Sequence, residues 1–175
     1  MGLRRFGSVV VLAGCALGAS ISSGFSAKDT ATTTSGLPVP RYVSLKSDHV
    51  NVRAGPTKDN DVAWVYTRSG LPVEITAEFE NWRRVRDSEG AEGWVYHSLS
   101  SGRRTAVITM KNKDDLAQLY DRADPTSAIA ARLQAGVVVQ VKHCAAGWCH
   151  VSGNGFDGWI EQQRLWGVYA GESVD

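Results

Sequence analysis

One pattern of turns, alternating apolar residues and tryptophans occurs twice in this chain. The first copy lies within residues 50–99 and the second within residues 117–165. The copies keep their internal spacing, since Trp82 in the first and Trp148 in the second are 66 positions apart. A duplicated unit of this size predicts two small domains in tandem rather than one larger core. Tandem domains of this kind are more often binding modules than enzymes.

The N-terminal residues have the features of an export signal. Arg4 and Arg5 precede an apolar stretch from Val9 to Ile21, and small residues follow it. The apolar stretch is too short to cross a bilayer as a stable helix. The sequence therefore predicts a signal that is cleaved after Ser26 and a periplasmic or secreted mature chain without a transmembrane span.

A lipid anchor is the alternative for this segment. Leu12-Ala13-Gly14-Cys15 resembles the lipobox of bacterial lipoproteins, in which the cysteine is acylated and becomes the new N-terminus. The apolar run continues past Cys15, which is unusual for such a signal. Both outcomes place the protein outside the cytoplasm.

The charge balance gives no indication of nucleic-acid binding. The chain has 19 basic and 18 acidic residues, and removal of Arg4 and Arg5 with the signal makes the mature chain slightly acidic. Phosphate backbones require a concentrated basic surface. The basic run at residues 82–86 is flanked by acidic residues on both sides, which favours the mixed-charge solvent face of a strand.

Strand signals dominate the chain after residue 40. Short apolar runs in the first copy alternate with turn residues at intervals of roughly 8–12 residues, the spacing of a small β-barrel. We therefore expect an all-β fold of two small barrels with about five short strands each. Asp114–Tyr120 is the strongest helix candidate, but its alignment with the first copy favours a strand. The predicted organisation is an export signal at 1–26, a flexible tether at 27–40, domain 1 at 41–102, domain 2 at 103–169 and a tail at 170–175.

Two cysteines remain after the signal, and their spacing favours a disulfide. If residues 145–148 form a hairpin turn, Cys144 lies opposite Cys149 and His143 lies opposite His150. Directly opposed Cα atoms in such a hairpin are roughly 4.5–5.5 Å apart, which a disulfide accepts. Zinc binding is the alternative, but neighbouring strand residues point to opposite faces and the four side chains do not converge. We expect a disulfide and no metal site.

The motifs of the first copy resemble those of a known family. Residues 51–56 (Asn-Val-Arg-Ala-Gly-Pro), Gly70, Asn81-Trp82 and residues 92–95 (Glu-Gly-Trp-Val) follow in the order typical of bacterial SH3-like domains. The second copy keeps the glycines and tryptophans but has a different, longer loop at residues 119–124. More narrowly, the arrangement is similar to exported two-copy SH3-like proteins of Gram-negative bacteria.

This resemblance implies what the chain does. Such barrels often accompany papain-like cell-wall hydrolases and bind peptidoglycan or its peptides. No stretch of 100 residues remains here for a catalytic domain, so the resemblance implies binding without cutting, and no cofactor. The expected partner is peptidoglycan, and the alternative is an envelope protein for which the chain serves as an adaptor that scaffolds or regulates a wall enzyme.

Aromatic residues of the first copy are the main candidates for a ligand surface. A sugar or peptide groove needs a stacking surface and a few oriented polar groups. The second copy lacks several of these aromatics, so we expect the first copy to recognise the ligand and the second to support it. The candidate residues are Asn51, Arg53, Trp64, Tyr66, Glu80, Trp82, Trp94 and Tyr96, and no catalytic residue is predicted.

Overall fold

The computed structural model of the chain describes residues 33–112 and 114–175. The predicted export signal, with Cys15, lies outside these residues. The described chain is all-β, as predicted, and forms two consecutive units that each contain one antiparallel sheet of seven strands. No helix among the described residues is long and apolar enough to cross a membrane.

The first unit contains the five predicted strands and two more. The strand order in its sheet is β3-β2-β6-β5-β4-β1-β7. The additional strands are the first and the last, which pair with each other, and a short 3₁₀ helix at His97–Leu99 precedes the last one. The strands are β1 (Arg41–Leu45), β2 (Val50–Arg53), β3 (Val62–Tyr66), β4 (Pro72–Phe79), β5 (Trp82–Arg86), β6 (Glu92–Tyr96) and β7 (Ser100–Ser101).

The second unit repeats this topology. Its strand order is β10-β9-β13-β12-β11-β8-β14, which matches the first unit position for position. The segment before Tyr120 is a strand, as the alignment of the copies indicated. The strands are β8 (Thr105–Ile108), β9 (Leu116–Tyr120), β10 (Ile129–Gln134), β11 (Val138–Ala145), β12 (Trp148–Gly153), β13 (Phe156–Glu161) and β14 (Leu165–Trp166).

Alternation along the strands separates a buried face from an outward face in each unit. In β2, Val50 and Val52 are fully buried, whereas Asn51 is exposed and Arg53 is partly exposed. Successive strand side chains point to opposite faces, so this pattern builds one core per unit. Each unit has its own cluster of buried aliphatic side chains.

Gly93 permits a close approach between β6 and β2. A Cβ atom at this position would lie 2.4 Å from Cγ1 of Val52 and 3.0 Å from the ring of Trp64. Val52 belongs to the core of the first unit, and Trp64 packs against that core. The Gly-Trp dipeptide of the sequence motif therefore places a residue without a side chain against the core and a tryptophan on the outward face.

Glu78 connects the N-terminal segment to the first unit. Its buried side chain accepts hydrogen bonds from the backbone N–H and the hydroxyl of Ser35, both at 2.8 Å. Arg41 Nη2 and Arg83 Nε lie 2.6 and 3.1 Å from Oε1 of Glu78. Residues 33–40, at the end of the predicted tether, thus contact the first unit.

The C-terminal residues, predicted as a tail, contact the second unit. Val174 is buried and exchanges two backbone hydrogen bonds with Cys144, at 2.8 and 3.1 Å. The buried side chain of Gln162 donates to the carbonyl oxygens of Tyr169 and Glu172. The second unit therefore includes residues beyond 169.

Aromatic rings and hydroxyl groups join the two units along a seam. Tyr42 of β1 contacts Trp166 and Tyr169, with ring centroids 5.1 and 4.6 Å apart, and Tyr169 Oη donates to Glu74 at 2.9 Å. Trp166 and Tyr169 of the second unit therefore lie in the seam against the first unit.

Buried hydroxyl groups complete the seam. Thr105 Oγ1 donates to the carbonyl oxygen of Gly70, and it lies 2.8 Å from Oγ of Ser44. Both hydroxyl side chains are buried. The contacts join strand β8 of the second unit to strand β1 and the β3–β4 turn of the first.

Replacing Thr105 by valine is expected to weaken this seam. Valine has nearly the same shape but leaves the Gly70 carbonyl oxygen without its donor, whereas the Ser44 hydroxyl still donates to the carbonyl oxygen of Arg103. The expected cost is about 1–3 kcal/mol. Differential scanning calorimetry should show a lower Tm. The exposed Thr67→Val is the matched control and should change the Tm little. Equal effects of the two substitutions would contradict the role of Thr105.

Candidate functional site

Three neighbouring strands of the first unit present most of the predicted ligand residues on one outward face. In β2, β6 and β5, Arg53 lies opposite Trp94, and Trp94 lies opposite Arg84. In the next row, Trp82 lies opposite Tyr96. The face therefore carries aromatic rings between cationic side chains.

A groove of about 180 Å³ lies at one end of this face. We call it the first groove. It brings together four of the eight predicted ligand residues and adds two that the sequence did not indicate. The lining residues are Asn51, Arg53, Lys58, Trp82, Tyr96 and Leu99.

The β2–β3 loop determines the position of Arg53 in this groove. Arg53 Nη1 donates to the carbonyl oxygen of Asn60 at 2.6 Å, which ties the strand to the far side of the loop. The side chain of Asn60 fits against Gly55, where a Cβ atom would lie only 2.6 Å from Asn60 Oδ1. The Arg-Ala-Gly part of the motif is thus a structural requirement of this loop. The loop in turn carries Lys58 to the groove.

Trp82 and Tyr96 form the aromatic wall of the groove. Their ring centroids are 5.5 Å apart and the ring planes are nearly perpendicular. Tyr96 also contacts His97 at 4.9 Å. Trp82 is mostly buried, so Tyr96 provides more of the accessible aromatic surface.

The other predicted ligand residues lie outside the lining of this groove. Trp94 is on the same outward face. Trp64 and Tyr66 are the cross-strand partners of Val52 and Val50, and they face the core. Glu80 is in the β4–β5 turn, where its carbonyl oxygen accepts a hydrogen bond from Arg83.

The hydroxyl of Tyr66 has a structural partner. Tyr66 Oη donates to Asp87 Oδ2 at 3.0 Å. Burial, and secondly the negative charge of Asp87, raise the pKa of Tyr66. Tyr66 thus stays neutral and connects the end of β3 to the β5–β6 turn.

Lys58 and Leu99 are the groove residues that sequence reasoning missed. Lys58 lies in a polar loop, where lysine is the expected surface residue, and Leu99 is in the 3₁₀ helix after β6. The spacing between the Arg-Ala-Gly motif and β3 was the available signal, since a loop of this length can fold back over β2.

The hairpin of β11 and β12 is built as predicted. Cys144 pairs with Cys149 and His143 with His150, and the two cysteines form a disulfide bond. On the outward face, the His150 ring stacks on Trp159 at 5.0 Å, and its Nε2 atom lies 2.6 Å from Asp157 Oδ1. Within residues 33–112 and 114–175, no group of three or more His, Cys, Asp or Glu residues could hold a metal ion.

Solved structures with a similar course of the chain include three proteins of the NlpC and NlpC/P60 type. They are NlpC2 and NlpC1 from Trichomonas vaginalis and an NlpC/P60 family protein from Bacillus cereus ATCC 10987, at 15%, 16% and 12% identity. The TM-scores are 0.33, 0.32 and 0.29, and the similarity covers 73%, 72% and 71% of this chain. It covers 48%, 45% and 55% of those proteins, so the chain spans about half their length.

The family assignment comes from the sequence. No curated protein matches the chain. The family model described as "Bacterial SH3 domain" matches residues 46–102 and again residues 113–167, one match in each unit. These two matches cover more than half of the chain and correspond to the two sheets of the structure. The chain therefore belongs to the bacterial SH3 domain family.

Proposed function

We propose that this protein is a non-enzymatic binding module of the bacterial envelope that recognises the peptides of peptidoglycan through the first groove. The observation that carries the proposal is the combination of Arg53 and Lys58 with the aromatic wall of Trp82 and Tyr96. Cell-wall peptides have carboxylates and small aliphatic side chains. A guanidinium and an ammonium group bind the former, and aromatic rings contact the latter.

The chemistry of the second unit supports binding rather than catalysis. Both of its cysteines are joined in the disulfide, so neither supplies a thiolate nucleophile. His150 stacks on Trp159 and contacts Asp157, with no Ser or Cys nucleophile as its partner in these contacts. Nucleophilic catalysis requires a base next to a nucleophile. In this proposal the mature protein acts in the periplasm or at the cell surface.

Co-sedimentation with purified sacculi tests the proposal. The protein is expected to pellet with sacculi at low ionic strength and to be released as salt is raised, because exposed charges are screened. Absence of co-sedimentation would exclude direct wall binding and favour the adaptor function. In that case, an envelope pull-down should return one dominant protein partner that survives digestion of the glycan.

Lys58 gives the most specific substitution for this test. Its side chain is exposed, and no acidic residue is among those that line the first groove with it. Replacement by glutamine removes one charge from the groove and should weaken sacculus binding about three- to fivefold at low salt. The exposed Lys111 belongs to the second unit and does not line the first groove, so Lys111→Gln makes the same change in net charge elsewhere and serves as the control. If both variants bind equally well, Lys58 has no role in recognition.

A further inference from the structure

The second unit has a groove at the place equivalent to the first groove. Arg53 and Tyr120 are equivalent because they lie opposite Trp94 and Trp159, respectively. We call this cavity of about 270 Å³ the second groove. Its lining residues are Met110, Leu116, Ala117, Gln118, Tyr120, Ile160, Glu161 and Arg164.

Three exchanges between the copies change the charge of the groove. Tyr120 replaces Arg53, and Glu161 replaces Tyr96, since Glu161 lies opposite Trp148 just as Tyr96 lies opposite Trp82. The first groove is lined by two cations and no acid. The first of these exchanges removes a cation, and the second introduces a carboxylate. The third adds a cation, since Arg164 ends the 3₁₀ helix of the second unit where Leu99 ends that of the first.

The carboxylate of the second groove is compensated within the protein. Arg164 Nε lies 3.4 Å from Glu161 Oε2, and the amide of Gln163 donates to the same oxygen at 3.0 Å. Glu161 and Arg164 are the charged residues of the lining, so their formal charges cancel. A free carboxylate on a ligand therefore has no excess positive charge to bind here.

The remaining lining suits an uncharged ligand. Leu116 is 47% exposed, although an aliphatic side chain of this size gains free energy when it is covered. Met110 adds an adaptable apolar surface beside it. Tyr120 Oη donates to Gln118 Oε1 at 2.9 Å, which orients the Gln118 amide and leaves its NH₂ group to donate to a ligand carbonyl.

We infer that the two grooves bind different parts of the ligand: the first takes a segment with a free carboxylate, and the second takes an uncharged peptide segment with small aliphatic side chains. This inference rests on the proposed function, because it treats the second groove as a binding site of the same kind. It assigns recognition to the second unit, which the sequence had suggested to be only a support.

Indole N–H resonances of the intact protein can report on each groove separately. Trp82 lines the first groove, and the Trp148 ring contacts Tyr120 of the second groove with centroids 5.7 Å apart. The probes are the tripeptide acetyl-Ala-Ala-Ala with a free C-terminal carboxylate and the same tripeptide as its C-terminal amide. Individual Trp→Phe variants assign the resonances.

The amide form is expected to shift the Trp148 resonance, and raising the ionic strength to about 1 M should not abolish this shift. The carboxylate form should shift the Trp82 resonance, and this shift should disappear at the same high ionic strength. A Trp148 resonance that does not respond to the amide form, while Trp82 responds to the carboxylate form, overturns the inference but leaves the proposed function intact. A Trp82 resonance that responds to neither probe, together with no sacculus binding, contradicts the proposed function instead.

A double substitution tests whether the residues at positions 120 and 161 cause the different ligand preferences of the two grooves. Tyr120→Arg with Glu161→Tyr gives the second groove the arginine and the tyrosine that the first groove has at these two positions, and both positions are partly exposed. Its preference for the carboxylate form should rise about tenfold, because a charge-assisted hydrogen bond is gained. Dispersed indole resonances confirm that the variant is folded, and an unchanged preference in a folded variant overturns the inference.

Discussion

Replacing Glu78 by glutamine is expected to lower the free energy of unfolding by about 3 kcal/mol. The carboxylate is buried between Arg41 and Arg83 and accepts two hydrogen bonds from Ser35. Glutamine keeps the size of the side chain but removes the charge that balances two partly buried guanidinium groups. The NH₂ group of glutamine is a donor, and it would face the N–H and O–H donors that the carboxylate oxygens of Glu78 accept from. Urea denaturation with the linear extrapolation measures the loss.

Glu92→Gln is the matched control for this substitution. Glu92 also pairs with an arginine, Arg84 at 2.6 Å, but both side chains are considerably exposed. An exposed ion pair contributes about 0–1 kcal/mol, so the same chemical change should have a small effect there. If the two variants lose equal stability, burial of the Glu78 cluster does not increase its contribution to the free energy of unfolding.

The Glu78 cluster also predicts a dependence of stability on pH. Burial by itself would raise the pKa of Glu78, but the hydrogen bonds from Arg41 and Ser35 outweigh it and lower this pKa to about 2. Because the folded-state pKa lies below the unfolded value, the stabilisation is fully present above about pH 5 and is lost as pH falls toward 2. The difference in stability between the wild type and Glu78→Gln should therefore narrow over this range. A stability difference that stays constant between pH 5 and pH 2 would contradict the lowered pKa of Glu78.

Gly93→Ala is expected to destabilise the first unit by about 3 kcal/mol. The new methyl group would lie 2.4 Å from Val52 Cγ1 and 3.2 Å from the carbonyl oxygen of Arg53. Val52 is fully buried, so it cannot move away without displacing the core. The strain would also separate β6 from β2, the strands that carry Tyr96 and Arg53 to the first groove. We expect a lower Tm and weaker sacculus binding in the same variant.

Gly102→Ala is the control, because no atom lies within 4 Å of a Cβ atom built there. This substitution should leave both the Tm and binding nearly unchanged. A Gly93→Ala variant as stable as Gly102→Ala would show that β2 and β6 do not approach as closely as the structure has them.

Local sequence patterns predicted the parts of the fold that depend on neighbouring residues. The hairpin of Cys144 and Cys149 could be derived because its turn is short and fixes which residues are opposed. The strands of the first unit followed from alternation and turn residues. Strands β7 and β14 could not be predicted in this way, because two-residue strands depend on pairing with a distant strand.

The candidate site was harder to predict for a physical reason. Whether Trp64 faces the core depends on its register with β2, which is shifted by an irregularity between Val52 and Arg53. The conformation of the β2–β3 loop decides the position of Lys58, and no periodic pattern encodes it. Charge cancellation between Glu161 and Arg164 likewise requires knowledge of side-chain distances.

The seam between the units has a thermodynamic consequence for ligand binding. Thr105, Ser44 and Tyr42 make contacts that exist only when both units are folded. A ligand that binds the folded form stabilises every part of the molecule that unfolds together with its site. Occupancy of the first groove alone is therefore expected to slow amide hydrogen exchange in strand β8 of the second unit. Ligand binding to one copy of the repeat is therefore expected to raise the stability of the other copy.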